Sequence, residues 1–193
     1  RVARHANRNR AVRGQGESGA MAEGRVRVAR MQEIDRVAAL WTLVTEHHAG
    51  LDPLFRMRRG PVAEGELREL LRAMARDPDA AILVFDATAS GPPGQSIIEG
   101  ICIVRIDRAP PILEETERAE ITDLGVRPEC RRRGIARQLV EEAMSWVRDA
   151  GVDRVEIQVA SGNFEGQAFW REMGYTDLMH VLHKRLGSRS KPR

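Results

Sequence analysis

The chain has 193 residues, of which 42% are hydrophobic and 31% charged, and its formal net charge at pH 7 is +3. This length and this hydrophobic content suit one well-cored domain and are short for two. No stretch approaches the roughly 18 apolar residues of a membrane span, and the two cysteines, Cys102 and Cys130, lack metal-ligand spacing. The composition therefore argues against a membrane-spanning protein, a disulfide scaffold and a cysteine metal site, and we expect a protein of the reducing cytoplasm.

The basic charge is concentrated at the two ends of the chain. Residues 1–24 contain five arginines and two glutamates, a surplus that equals the net charge of the whole chain, so residues 25–193 balance to zero. We expect this segment and the basic tail 187–193 to be disordered around a single domain at 25–186. Since the first methionine is Met21, the residues before it need not be native. An aromatic content of 4% gives few stacking platforms and disfavours a nucleic-acid partner.

Hydrophobic periodicity and turn signals divide the domain into alternating strands and helices. In chain order they are strand Val26–Ala29, helix Ile34–His48, helix Glu66–Arg76, strands Ala80–Ala87, Ile97–Ile106 and Glu120–Val126, helix Ile135–Ala150, strand Arg154–Ala160, helix Phe164–Met173 and strand Thr176–Leu186. A Gly- and Pro-rich loop at 90–94 joins the second and third strands. The order β-α-α-β-β-β-α-β-α-β predicts an α/β (α+β) fold with a mixed, twisted central sheet flanked by helices.

The most specific signal is a basic turn between the Glu120–Val126 strand and the helix that follows. It contains six residues, Arg131, Arg132, Arg133, Gly134, Ile135 and Ala136. The first amides of a helix have no intrahelical partner and lie at the positive end of the helix dipole, so they can bind a diphosphate. Gly134 allows close approach of the backbone. The alternative, an arginine run on a solvated helix end, is excluded only by the elements on either side.

Those elements and the turn together resemble the GCN5-related N-acetyltransferase (GNAT) superfamily, whose cofactor is an acyl-coenzyme A. The family signature is Arg or Gln, two residues, Gly, one residue, then Gly or Ala, which Arg131, Gly134 and Ala136 fit. The resemblance implies an N-acetyltransferase-like domain that uses acetyl-CoA and holds its diphosphate at residues 131–136. It also implies that the pantetheine arm pairs with the backbone of Leu124, Gly125 and Val126, and that Asn163 contacts the same arm.

Acetyl transfer to an amine needs a proton acceptor and a donor for the carbonyl oxygen. By resemblance Glu120 is the first candidate for the base, acting through water, because the family's histone-acetylating members carry a Glu at the start of this strand. On simple alternation Glu120 shares a face with Leu124 and Val126. Asp123 is the second candidate and faces the opposite side unless a bulge redirects it. A carboxylate in solvent at the sheet edge is the alternative for Glu120.

Two features leave the reaction open. Many family members have a tyrosine that protonates the departing thiolate at the position of Trp170, and the only tyrosine of the chain is Tyr175. A catalytically silent acyl-CoA sensor or interaction module is therefore the second hypothesis. His47 and His48 could contact the acceptor, which we expect to be an amine of a small molecule or a peptide, or could simply end their helix. Family analogy also suggests a homodimer.

Overall fold

The computed structural model describes residues 22–87 and 97–184, and within them the chain forms a five-stranded sheet and four α-helices. The strands are β1 (Arg25–Val28), β2 (Ala80–Asp86), β3 (Ile98–Arg108), β4 (Glu117–Val126) and β5 (Val155–Ile157). The helices are α1 (Ile34–Leu51), α2 (Pro61–Arg76), α3 (Ile135–Asp149) and α4 (Phe164–Glu172). Short 3₁₀ turns precede α1, follow it and precede the basic turn, at Met31–Glu33, Pro53–Phe55 and Pro128–Cys130.

The strands follow one another in space as they do in sequence. The first four are antiparallel, and β5 then pairs in parallel with β4. A parallel neighbour requires a crossover connection, which α3 supplies between β4 and β5. The sheet is therefore mixed and flanked by helices, and the predicted fold class is confirmed.

Two apolar clusters cover the two faces of the sheet. On what we call the front face, the apolar sides of α1 and α2 pack on the middle strands through Val37, Leu40, Leu71, Ile82, Val84, Ile101 and Ile103. On the back face, α3 and α4 pack through Leu83, Phe85, Cys102, Val104, Ile121, Ile135, Leu139, Ala143, Val147 and Trp170. Side chains that alternate along a strand supply both clusters, which is why the middle strands are apolar almost throughout.

Helices α1 and α2 extend beyond the ranges that the hydrophobic pattern predicts, whereas α3 and α4 each end one residue earlier than predicted. Helix α2 starts at Pro61 rather than Glu66, because Gly60 (φ 104°) turns the chain and proline suits the first helical position. Helix α1 continues through His47 and His48 to Leu51. Apolar periodicity marks only the buried part of a helix, so exposed turns at its ends escape it.

The predicted last strand, Thr176–Leu186, is wrong for the residues that the structure describes. Residues 176–184 have no strand partner and are exposed, including the apolar Leu178, Met179, Val181 and Leu182. Residues 185–186 lie outside the described range. A strand exists only through hydrogen bonds to a neighbour, and β5, with three paired residues, gives this segment little edge to extend.

The chain is packed against the domain from the first residue described. Ala22 is buried in the back cluster, and its N–H donates to the carbonyl of Arg133 in the basic turn (3.2 Å). Residues 22–24, which the charge pattern placed in the disordered segment, therefore contact the domain. Residues 1–21, the 90–94 loop and the 187–193 tail lie outside the described residues. None of the described helices has the length and apolarity needed to cross a bilayer.

Candidate active site

Strands β4 and β5 separate part of the way along the sheet and leave a wedge between them. They pair only at three positions, Ala119 with Val155, Glu120 with Glu156 and Ile121 with Ile157. Beyond these, β4 continues to Val126 with its β5-side edge unpaired by any described strand. The backbone there presents free hydrogen-bonding groups to a ligand in the wedge.

The direction of one of these groups follows from the next residue. The N–H of Arg127 donates to the carbonyl of Glu99, on the β3 side (2.8 Å). Successive N–H groups of an extended chain point to opposite edges, so the N–H of Val126 points into the wedge. This is the backbone that the resemblance assigned to the pantetheine arm.

A bulge at Thr122 decides which side chains of β4 share a face. Opposite β3, Ile103 pairs with Asp123 and Val104 with Ile121, so Thr122 is the extra residue. Leu124 then joins Ile121 against the back cluster, while Asp123 faces α1 on the front. The expected common face of Glu120, Leu124 and Val126 is therefore wrong: Glu120 shares the front face with Asp123 and Gly125. The bulge that the sequence analysis left conditional is present and redirects Asp123.

The basic turn stands where β4 ends. Gly134 has φ 76° and is the N-cap residue of α3, whose first turn receives no side-chain cap. Arg132 also lies in the left-handed region, with φ 62°. The Ile135 side chain is buried in the back cluster, which anchors α3 and leaves only its amide for a ligand. The turn thus directs uncapped amides and a helix dipole toward the mouth of the wedge.

The arginines of the turn differ in what they contact. Arg133 pairs with Glu99 (3.5 Å), and the exposed Arg132 lies 3.8 Å from Glu165 of α4. Arg131 is exposed, and its Nε donates to the carbonyl of Val126 at 3.4 Å, a long hydrogen bond. Weakly paired, exposed guanidinium groups are suited to phosphate oxygens.

Asn163 lies between β5 and α4 and has a structural role of its own. Its Oδ1 accepts the N–H of Gly166 (2.9 Å), and the residue is the N-cap of α4. A side-chain oxygen at this position satisfies an otherwise unpaired helix amide. The Nδ2 group remains as a donor toward a ligand.

Glu120 is held between two strands on the front face. Arg105 of β3 donates to its Oε2 (2.8 Å), and Gln158, just beyond β5, donates to its Oε1 (3.1 Å). The bond from Gln158 spans the wedge at the point where the strands begin to separate. Arg105 also pairs with Asp107 (3.2 Å), so its charge is shared between two carboxylates.

Asp123 has a different environment. The indole Nε1 of Trp41 in α1 donates to its Oδ1 (2.8 Å), and the hydroxyl of Thr122 donates to its Oδ2 (2.8 Å). Burial raises the pKa of Asp123, and the two hydrogen bonds oppose that effect. Among the described residues no cationic group forms an ion pair with it, although His48 interacts with it electrostatically. Sequence reasoning missed Trp41, because its helical spacing marks it as an ordinary core residue.

His48 lies further along the same side of α1. It is half-buried and packs against Phe55, with ring centroids 6.1 Å apart. Burial, and then the neighbouring His47, lower the pKa of His48, so the imidazole is neutral at pH 7. His47 itself is exposed. Of the two histidines, His48 is the one near the candidate site.

Neither aromatic residue near the expected position of the general acid is suited to that role. Trp170 is buried and packs edge-on against Tyr175, with ring centroids 5.0 Å apart. The Tyr175 hydroxyl is buried, and no described residue forms a hydrogen bond with it. Burial, with a smaller effect of Cys102, raises the pKa of Tyr175 to about 12. A phenol of that pKa is a poor proton donor to a thiolate.

The described residues contain no cluster of three or more potential metal ligands. Cys102 and Cys130 are both free and buried. Burial raises the pKa of each thiol, which disfavours the reactive thiolate form.

Comparison with known proteins agrees with this geometry. A model of the acetyltransferase (GNAT) family matches residues 50–175. Over 68 residues the chain is 37% identical to a mycothiol acetyltransferase of Beutenbergia cavernae; this stretch covers 35% of the chain and 22% of that protein. The chain thus spans less than a quarter of that relative.

Solved structures share the fold. A tetramutant of the BH1408 protein of Bacillus halodurans superposes with a TM-score of 0.67 at 22% identity, over 83% of this chain and 99% of that one. A predicted acetyltransferase of Clostridium acetobutylicum, solved with acetyl-CoA, gives 0.64 at 14% identity, over 83% and 94%. At identities this low the solved structures show only that the fold is shared. The family model matches more than half of the chain and therefore shows the family. The wedge, the glycine turn and the family match lead to one conclusion: this chain belongs to the acetyltransferase (GNAT) family.

Proposed function

We propose that this protein is an N-acetyltransferase that moves an acetyl group from acetyl-CoA to a primary amine. The observation that supports this most strongly is the wedge between β4 and β5, which opens toward the uncapped N-terminus of α3 at Gly134. An extended ligand with a diphosphate at one end and an amide-containing arm can bind the N-terminus of α3 with its diphosphate and the free edge of β4 with its arm.

The residues present fit acetyl-CoA along its length. The amides of residues 132–136 bind the diphosphate, assisted by the exposed guanidinium groups of Arg131 and Arg132, while the N–H of Arg131 donates to the carbonyl of Pro128 (3.3 Å). The wedge-facing backbone groups of Leu124 and Val126 pair with the amides of the pantetheine arm, while Gly125 between them pairs with Ile101 of β3. Asn163 donates to the same arm. When bound, the cofactor supplies an acetyl group activated as a thioester.

In this proposal Glu120 is the base. Arg105 and Gln158 fix its carboxylate beside the wedge, and a water molecule carries the proton from the acceptor's ammonium group to it. The freed amine nitrogen bonds to the acetyl carbon while the N–H of Val126 donates to the carbonyl oxygen. The carbon–sulfur bond breaks, the nitrogen releases its second proton to solvent water, and solvent water protonates the departing thiolate, since Trp170 and Tyr175 do not.

The test is calorimetric titration with acetyl-CoA of the wild type and two matched variants. Gly134→Glu places a carboxylate in the diphosphate turn, and we expect affinity to fall at least tenfold, about 1.4 kcal/mol. Gly151→Glu is the control: its φ is 82°, close to that of Gly134, and a Cβ there meets no atom within 4 Å. It introduces the same charge and backbone strain far from the wedge. Tight binding by Gly134→Glu would overturn the proposal.

Turnover is measured separately, as thiol release from acetyl-CoA with a panel of primary amines. Release that depends on both the amine and Gly134 supports the transferase. Binding of acetyl-CoA without turnover of any amine would instead support the silent sensor, which the poor acidity of Tyr175 and the burial of Trp170 favour as second candidate.

A further inference from the structure

The Asp123 carboxylate is half-buried, and no described cationic group forms an ion pair with it. A carboxylate removed from water loses hydration, and that loss is offset when a cation binds to it. Trp41 and Thr122 each occupy one of its oxygens. An ionised carboxylate accepts about four hydrogen bonds, so roughly two acceptor positions remain.

The position of Asp123 is fixed by contacts from two elements. The bulge at Thr122 turns it to the front face, and α1 lies directly on β4 beside it: a Cβ added to Gly125 would stand 2.0 Å from Val44. Trp41 is one helical turn before Val44 and brings its indole N–H to the carboxylate. These contacts leave Asp123 little freedom to move away from the wedge.

The surrounding charges leave negative charge in excess. His48 from α1 faces Asp123 and is neutral at pH 7 because burial lowers its pKa. Glu120 of β4 lies on the same face, and its cationic partner, Arg105 of β3, is shared with Asp107. Cys102 of β3 is buried and uncharged, because burial raises its pKa. None of these groups brings a positive charge that would compete with an incoming cation for Asp123.

Primary amines arrive as ammonium groups at pH 7, since their usual pKa lies well above it. We propose that Asp123, positioned by Trp41, binds the ammonium group of the acceptor, while Glu120 removes its proton. The inference rests on the proposed acetyl transfer and assigns the two carboxylates different tasks. It selects acceptors that carry a primary ammonium group.

The first experiment needs no turnover. The indole N–H signals of ¹⁵N-labelled full-length protein are followed by NMR while methylammonium chloride is added, with sodium chloride at equal concentration as the ionic-strength control. Trp41→Phe and Trp146→Phe assign the signals, and Trp146, on α3, is the internal reference. We expect a saturable shift of the Trp41 signal, unchanged Trp146, and loss of the saturable shift in Asp123→Asn.

Asp123→Asn is a conservative test because the amide has the same shape. Its oxygen accepts from Trp41, and the Thr122 hydroxyl can rotate to accept from its nitrogen, so the fold is retained. An equal shift with sodium chloride, an equal shift in Asp123→Asn, or no saturable shift in the wild type would each overturn the inference.

The second experiment separates binding from proton transfer, using the amine that gives the fastest thiol release. We expect Asp123→Asn to raise the KM for the amine at least tenfold, with the KM for acetyl-CoA unchanged. Trp41→Phe should raise the amine KM in the same direction, Trp146→Phe should not, and Glu120→Gln should lower kcat instead. A fall in kcat at constant amine KM in Asp123→Asn would contradict the assignment. If the wild type turns over no amine, the acetyl transfer fails while the NMR result still stands on its own.

Discussion

At the scale of single residues, the geometry of the site depends most on Thr122, which is not itself a candidate for base or acid. As the extra residue of the bulge it moves Asp123 to the front face and Leu124 to the back. Its hydroxyl also donates to the carboxylate that it has redirected. One inserted residue thus places two carboxylates on the same side of the wedge.

Tyr175 gives a prediction that the chain makes simple to test, because it is the only tyrosine. Absorbance at the phenolate band should titrate with a midpoint of about 12. The pKa is raised in the folded state, so the folded protein retains its proton longer than the unfolded chain does, and stability should fall as pH rises from about 10 to about 12.

Replacing Tyr175 with Phe removes a buried hydroxyl that has no described partner, and this slope should disappear. At pH 7 the free energy of unfolding should be unchanged or higher by up to about 2 kcal/mol, as measured by denaturant titration. Thiol release should be unaffected. A large loss of turnover in a folded Tyr175→Phe protein would show that the hydroxyl donates to the leaving thiolate after all.

At the scale of elements, the contact between α1 and β4 fixes the part of the candidate site that we propose binds the acceptor. Trp41 bonds to Asp123, Val44 covers Gly125, and His48 lies beyond them on the same helix. The approach is close because Gly125 has no side chain. Any larger residue would have to displace the helix that carries Trp41.

Gly125→Ala should therefore destabilise the protein by about 1–3 kcal/mol, because its Cβ would overlap Val44, and should weaken amine binding as α1 moves away. Unfolding in denaturant measures the first effect. Val44→Ala makes room for the new methyl group, so the double variant should be more stable than the sum of the two single effects implies.

Gly65→Ala is the matched control for that series. Gly65 lies within α2, and a Cβ there meets no atom within 4 Å. The same substitution should be neutral or stabilising by up to about 1 kcal/mol, since alanine is the better helix former. Simple additivity of Gly125→Ala and Val44→Ala would show that the helix does not rest on the strand as described.

At the scale of the whole molecule, the two faces of the sheet hold different parts of the candidate site. The back face holds the larger apolar cluster and anchors α3, whose N-terminus carries the glycine turn. The front face holds α1, α2 and the two carboxylates. The wedge between β4 and β5 lies between the glycine turn at the start of α3 and the two carboxylates on the front face. The homodimer, the cytoplasmic location and the disordered ends stay predictions.

We propose that acetyl-CoA contacts β4, the basic turn and Asn163 at the start of α4 together, so its binding should stabilise the entire fold. Acetyl-CoA at 100 times its Kd adds about 2.7 kcal/mol to the free energy of unfolding. For a domain of this size that corresponds to a rise in Tm of roughly 5–11 °C. Thermal unfolding with and without acetyl-CoA measures it, and Gly134→Glu should show no rise. A rise of equal size in that variant would place the ligand elsewhere.

The sequence by itself determined the family, the fold class and the position of the glycine turn. These signals are local: a strand, a positive-φ glycine and a helix start lie within about twenty residues, and each follows from short-range conformational preferences. The apolar runs similarly located the middle strands. Helix ends were less accurate, because exposed turns carry no apolar pattern.

Tertiary structure alone decided which side chains meet. Trp41 and Asp123 are 82 positions apart, and their contact depends on how α1 packs on the sheet. The face that Asp123 occupies depends on a bulge that appears only when β4 is paired with β3. The absence of a strand at residues 176–184 follows the same rule, since a segment with strand-forming residues becomes a strand only where a neighbour offers a free edge. These features depend on pairing between residues that are far apart in the sequence, and the hydrophobic pattern along the chain does not show that pairing.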